Sequence, residues 1–170
     1  MEKISLEDRI YLEPKFLNEN YSKHIYDKII EKYTNYCTEE YGYILKIYKN
    51  IEILENFLSE VNTGAYFKVK FKVKILKPKI GDEIVGEICF IHGSGLVAKI
   101  NEKLKIAISD KNMGKYKYDK GFFRKKSETI NIGDKIKAVI SSIKYEKRTF
   151  HLLGIFSELV KEEEEESKEN

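Results

Sequence analysis

Cysteine is scarce in this chain of 170 residues, occurring only as Cys37 and Cys89. Two thiols, one in each half, cannot build the disulfide framework of a small secreted scaffold, so both are expected to be reduced. Histidine is nearly as rare: His24, His92 and His151 are the whole set, and none stands in a zincin helix, a nucleophile elbow or a Gly-rich phosphate loop. Cys89 and His92 have ligand-like spacing, but two groups do not complete a tetrahedral site. Carboxylates are plentiful yet lie on turns or among lysines, with no apolar setting that would separate the pKa values of a pair. The expectation is therefore no catalytic residue, no metal site, no cofactor and no enzyme. No apolar run approaches the roughly 18 residues that cross a bilayer, and the N-terminus lacks the basic-then-apolar pattern of a signal peptide; a soluble, intracellular protein is expected. Alanine appears four times against 23 isoleucines and 28 lysines, a bias that points to AT-rich coding more than to structure.

Proline occurs twice, and each time it punctuates. Residues 65–75 alternate without a break. Phe67, Val69, Phe71, Val73 and Ile75 fall on one side of an extended chain and Lys68, Lys70, Lys72 and Lys74 on the other. That is a strand with one buried face, whereas a helix would scatter the same residues around its circumference. The strand runs into Lys77-Pro78, where the ring removes a donor, and into Gly81-Asp82, after which a second apolar run begins. The break reads as a short stiff joint between two small domains, 1–79 and 80–157, with an acidic tail at 158–170.

In the first domain, residues 4–12 alternate loosely and stop at Pro14, as an edge strand does. Tyr21, Ile25, Ile29, Tyr33 and Tyr36 then recur at helical spacing. Residues 43–54 form a strand rich in Ile and Tyr, 55–64 a loop, and the alternating strand follows. The expected unit is α+β, a short antiparallel sheet with one helix on one face. The second domain shows short strands at 84–91, 96–100, 104–108, 136–145 and 149–155, interrupted by a long segment at 109–131. Five short strands with one insertion suit a closed all-β barrel of the OB type, since closure removes edges that so small a sheet could not protect. Residues 161–170, KEEEEESKEN, have nothing to bury and read as disordered.

The net charge of +3 conceals an uneven distribution. Residues 1–79 carry 14 Lys/Arg and 12 Asp/Glu, residues 80–157 carry 15 and 9, and residues 158–170 carry 2 and 7. Within the basic half, 99–126 holds ten basic residues against Glu102, Asp110 and Asp119, with Tyr116, Tyr118, Phe122 and Phe123 interleaved. Cations neutralise phosphates and aromatic faces accept unstacked bases, so this segment points to RNA. The competing reading is a solvated insertion whose aromatics fold back onto the barrel. The lysine row at 68–74 carries the same two readings, RNA contact or plain solvent exposure and edge protection, and the second is favoured for a row on an outward strand face.

Leu12-Glu13-Pro14-Lys15-Phe16 before the helix, Tyr41-Gly42-Tyr43-Ile44 after it, Tyr66-Phe67-Lys68-Val69 leading to Leu76-Lys77-Pro78, and then Gly81 with Gly86 resemble one family in order and spacing. It is the small stalk subunit of archaeal and eukaryotic multisubunit RNA polymerases, the seventh subunit of RNA polymerase II and its archaeal counterpart, and the resemblance extends over about residues 3–157. It implies a truncated RNP-like tip domain followed by an OB-type barrel, in a non-catalytic subunit that pairs with a second stalk subunit. The tip would dock on the large core subunits at the clamp base through Pro14, Phe16, Leu17, Gly42, Asn56, Phe57, Leu58, Asn62, Thr63 and Gly64. Nascent single-stranded RNA would meet the barrel at Lys99, Lys103, Lys105, Lys115, Tyr116, Lys117, Arg124, Lys125 and Lys126. Such a protein would work in the nucleus of a eukaryotic cell or, for a divergent viral enzyme, in a virion or cytoplasmic factory. The alternative is a free OB-fold RNA-binding protein of translation or RNA decay, which leaves the first domain without a role.

Overall fold

The computed structural model describes residues 1–161, and the chain divides into two compact units, the second beginning at Pro78. In the first unit the alternating segment becomes β4 (Ala65–Leu76). It lies between β1 (Glu2–Leu12) and β3 (Gly42–Leu58), with the two-residue β2 (Cys37–Thr38) outermost and every pairing antiparallel. Phe67, Val69, Phe71, Val73 and Ile75 are 0–7% exposed. The helix α1 (Tyr21–Tyr33) lays Ile25, Ile29 and Tyr33 onto that face, forming one core with Leu6, Ile10, Leu12, Ile44 and Ile47. Each such side chain contributes about 1.5–3 kcal/mol relative to exposure. The helix ends earlier than the aromatic spacing predicts. Thr34 turns extended, and Tyr36 leaves the helix to meet the Tyr33 ring edge-on at 5.1 Å.

In the second unit β5 (Glu83–His92), β6 (Gly95–Lys99), β7 (Lys105–Ser109), β11 (Lys135–Glu146) and β12 (Thr149–Val160) close a barrel in the order β11-β12-β7-β6-β5. The β12/β7 pair is parallel and the rest are antiparallel. Alternate residues, among them Ile88, Leu96, Ala98, Ile106, Ile108, Ile136, Ile140 and Leu152, are nearly inaccessible. The long segment between β7 and β11 is itself ordered as β8 (Lys117–Asp119), β9 (Phe122–Lys125) and β10 (Glu128–Ile130), a three-stranded flap. Met113, Phe123 and Ile130 of this segment are at 0% exposure, and Tyr116 packs on Phe156 of β12. No described helix is long and apolar enough to cross a membrane.

Two expected boundaries are corrected. Residues 55–58 are not loop, because β3 keeps its ladder with β4 through Asn56↔Phe67, Phe57↔Tyr66 and Leu58↔Ala65, where the Phe57 and Tyr66 rings stack at 5.5 Å. The turn proper is 59–64, held by Ser59 N–H donating to the Gly64 carbonyl and by Ser59 Oγ accepting from Val61 and Asn62. Nor does a tail begin at 158, since Glu158, Leu159 and Val160 pair with Lys137, Ile136 and Lys135, and Lys137 Nζ lies 2.7 Å from the Glu158 carboxylate. The remainder of the expected tail, 162–170, lies outside the described residues.

Candidate functional site

Two surfaces collect most of the residues singled out by the sequence, one in each unit. In the first unit the far end of β3, the start of β4 and the chain entering α1 enclose a groove of about 360 Å³ lined by Leu17, Asn18, Tyr21, Asn56, Phe57, Leu58, Ala65 and Phe67. Pro14 opens a one-turn 3-10 helix, Pro14–Phe16, whose fixed φ suits a helical first position and which delivers Leu17 to the groove. Leu17, Tyr21 and Phe57 are 38–41% exposed, Leu58 78% and Val61 91%. Exposed apolar side chains gathered beside a groove mark a contact surface better than isolated ones do. Tyr21, one helical turn from Ile25, reads in sequence as core, yet it sits at the groove rim and stacks on Phe67 at 5.7 Å.

Not every docking candidate belongs there. Gly42 lies at the opposite end of β3, is buried, has φ +75°, and a Cβ on it would stand 2.3 Å from the Leu76 carbonyl oxygen. Gly64 is also buried, with the Leu12 carbonyl 2.2 Å from where a Cβ would be. Both glycines are required by close backbone approach and present no surface to a partner. Phe16 packs on His24 with ring centroids 4.8 Å apart, outside the groove lining, while Asn62 and Thr63 are exposed on the 59–64 turn.

In the second unit the cations form two groups. Lys99 and Lys105 face each other across the β6/β7 hairpin, with Lys103 in the turn, where Asn101 Oδ1 accepts the Lys103 and Leu104 N–H groups. The flap leaves from the other end of β7 and carries Lys117 opposite Arg124, with Lys125 and Lys126 following and Lys115 preceding. Arg124 lies 3.4 Å from Asp119 and over the Phe122 ring at 5.8 Å; both partners are surface groups, so the guanidinium keeps donors for a ligand.

Tyr116 does not offer a base-stacking face. It is 7% exposed, edge-on to Phe156 of β12 at 5.1 Å, and donates its hydroxyl to Glu128 at 2.6 Å. Burial, then the Glu128 carboxylate, pushes the phenol up to about 12, while the hydrogen bond from Tyr116 and the Lys161 ammonium holds Glu128 below its ordinary value. Phe123 is likewise internal, so the fold-back reading holds for these two rings. The rings that do face solvent are Tyr118 at 44%, Phe122 at 37% and Phe90 at 54%. Tyr118 stands beside Gly93, a Cβ there meeting its ring at 3.6 Å, and Phe90 stacks with His92 on the same hairpin at 6.3 Å. Phe90 was legible only as a strand residue; a register shift between Ile88 and Phe90 turns it outward. Among the described residues no group of three His, Cys, Asp or Glu side chains gathers as a metal site.

Residues 7–70 match the family model described as "SHS2 domain found in N terminus of Rpb7p/Rpc25p/MJ0397". Over that span the N-terminal unit is similar to the SHS2 domain of Rpb7-type proteins. The chain is also 31% identical over 88 residues to "DNA-directed RNA polymerase II subunit RPB7" of Saccharomyces cerevisiae, covering 49% of this chain and 52% of that protein. It thus spans about half the length of that curated relative. The Rpb7-like character read from the Pro14, Gly42 and Pro78 motifs is borne out. Among solved structures, the apo form of Mycoplasma genitalium RNase R shares 20% identity over 45% of this chain and 13% of that one, with a TM-score of 0.36, a likeness too slight to bear on function. The matched span includes Leu17, Asn56, Phe57 and Leu58, and so the apolar groove.

Proposed function

We propose that this chain is a non-catalytic subunit of a DNA-directed RNA polymerase, docking on the large core subunits through the SHS2 domain and touching nascent single-stranded RNA through the barrel. The observation that carries the reading is that the Rpb7-type match covers a groove whose exposed rim is apolar. Large apolar side chains around a concavity are what a protein partner buries as its central anchors. The strand order round the barrel supports an OB type, and the flap cations with Tyr118, Phe122 and Phe90 suit a sequence-blind contact with phosphates and unstacked bases. Leu153 at 54% and Ile155 at 46% exposure, on the outer side of β12, are available to a second stalk subunit. The site of action follows the polymerase, inside the cell.

Affinity capture of the tagged full chain from its native source tests the docking. Large polymerase subunits should be recovered, and Leu58→Glu should reduce that recovery about tenfold or more, since anchor residues typically contribute at least ~1–2 kcal/mol. Recovery of ribosomal or exosome proteins in their place would overturn the reading in favour of a free RNA-binding protein. For the barrel, replacing Lys115, Lys117, Arg124, Lys125 and Lys126 together by Ala should weaken single-stranded RNA binding. It should also lower the slope of log K against log salt by up to about 3.5, near 0.7 for each phosphate no longer neutralised.

A further inference from the structure

The N-terminal sheet has a second face, opposite the helix, and its register shows what is on it. Side chains paired directly across strands share a face. Lys3, Ser5, Glu7 and Arg9 of β1 stand opposite Lys74, Lys72, Lys70 and Lys68, while Lys46, Glu52 and Glu55 of β3 stand opposite Lys74, Lys70 and Lys68. Seven cations thus meet three carboxylates on one open surface. One row across the sheet, Lys3-Lys74-Lys46, is composed of lysine alone, although like charges placed directly opposite destabilise a sheet. Among the described residues none of the four β4 lysines is in an ion pair, whereas Lys32 on the helix is engaged with Asp8. Seven cations against three carboxylates leave this face with an excess of positive charge.

The same face has a concavity. β3 loses register with β4 between Ile47 and Ile51, and beside that shift lies a cavity of about 370 Å³ whose lining includes Lys3, Ser5, Tyr48, Asn50, Lys70 and Lys72, with Glu52, Ile51 and Phe71 also at its wall. The Tyr48 ring is held there by two ammonium groups, Lys3 Nζ at 5.1 Å and Lys46 Nζ at 5.3 Å from its centroid.

We infer that the helix-free face of the N-terminal sheet is a second binding surface for single-stranded RNA, with phosphates along the β4 lysines and a base at the Tyr48 cavity. Alternate residues of a strand lie about 6.6 Å apart, so Lys68, Lys70, Lys72 and Lys74 form an evenly spaced rail that an extended phosphodiester backbone can follow. The aromatic ring with the Asn50 amide and the Ser5 hydroxyl gives a base both a flat surface and edge partners, features that an acidic peptide would leave unused. The inference deepens the transcript reading. It is nevertheless separable from the flap contact, because the two sets of residues belong to different units.

The test uses the full chain in four forms: unaltered, Lys3→Ala with Lys70→Ala and Lys72→Ala, the fivefold flap substitution, and both sets combined. Binding of a fluorescent uridine oligonucleotide is measured across a salt series. The sheet variant should bind on the order of tenfold more weakly at 0.1 M salt, with a slope lower by about 2, whether or not the flap is altered. An oligonucleotide carrying 4-thiouridine should cross-link to the peptides holding Tyr48 or Lys70. Unchanged affinity and slope in the sheet variant would overturn the inference, as would cross-links confined to 90–126. Tighter binding of polyglutamate or of the matching DNA strand than of RNA, lost in the sheet variant, would reassign the surface to an acidic protein segment or to DNA. Failure of the flap substitution alone to weaken RNA binding counts against the barrel contact and leaves the sheet result readable.

Discussion

The two units solve the same problem, a small sheet in water, by opposite means, and each exposes its positive charge accordingly. The N-terminal sheet stays open: a helix covers one face, and the other keeps its lysines on a regular strand lattice. The barrel closes on itself, so its inner faces are consumed by the core, and its accessible cations are mounted on a hairpin and an added flap. Strand alternation is enough to present charge in the first case. In the second, part of the charge depends on an added flap whose Met113, Phe123 and Ile130 are buried.

That contrast can be broken first through the cores. Phe71, 1% exposed under the helix and beside the Tyr33 ring at 5.3 Å, should cost about 3–5 kcal/mol on truncation to Ala, read by chemical denaturation as loss of the first unit. Phe123→Ala, also at a fully buried ring, should cost a similar amount but should act on the flap, removing its amide protection while the β5–β7 amides remain protected. Equal loss of protection throughout the barrel would mean that the flap is part of the barrel's own folding unit.

Two glycines sharpen the contrast at a smaller scale. Gly42 and Gly133 both have positive φ, +75° and +95°, but a Cβ on Gly133 would meet nothing within 4 Å. Gly133→Ala should cost only the backbone term, about 1–2 kcal/mol, and Gly42→Ala should cost more because the Leu76 carbonyl must also move. Thermal melts of the two variants decide this; equal midpoints would remove the close approach as the reason for Gly42.

The smallest effect concerns acid. Burial disfavours the charged form of Asp8, but hydrogen bonds from Lys32 and Tyr33 and from the Arg9 N–H outweigh it and hold the carboxyl below its ordinary 3.8; Glu128 is held below 4.5 by Tyr116 and Lys161. A carboxyl lowered in the folded chain stabilises it above the unfolded value, and that contribution is lost as pH falls through the folded value. Carboxyl titration followed by NMR should therefore show Asp8 rising toward 3.8 in Tyr33→Phe and Glu128 toward 4.5 in Tyr116→Phe. No movement of either would remove the phenol hydrogen bonds as the cause.

Sequence alone determined the central strand, because a period of two in 65–75 admits one backbone and one buried face, and it determined the break at Pro78, because proline ends a ladder. It also sufficed for the Rpb7 likeness, carried by Pro14, Gly42 and Pro78 at their spacing. Tertiary structure alone decided which exposed-looking residues are exposed. Tyr116 and Tyr118 are two residues apart in one basic segment, yet the first is sealed against Phe156 and the second is 44% exposed, because flap packing chooses between them. Likewise only the register of β1 and β3 against β4 gathers Lys3, Lys46 and Lys74 into one row, since neighbours across a sheet are distant along the chain and no local pattern encodes their meeting.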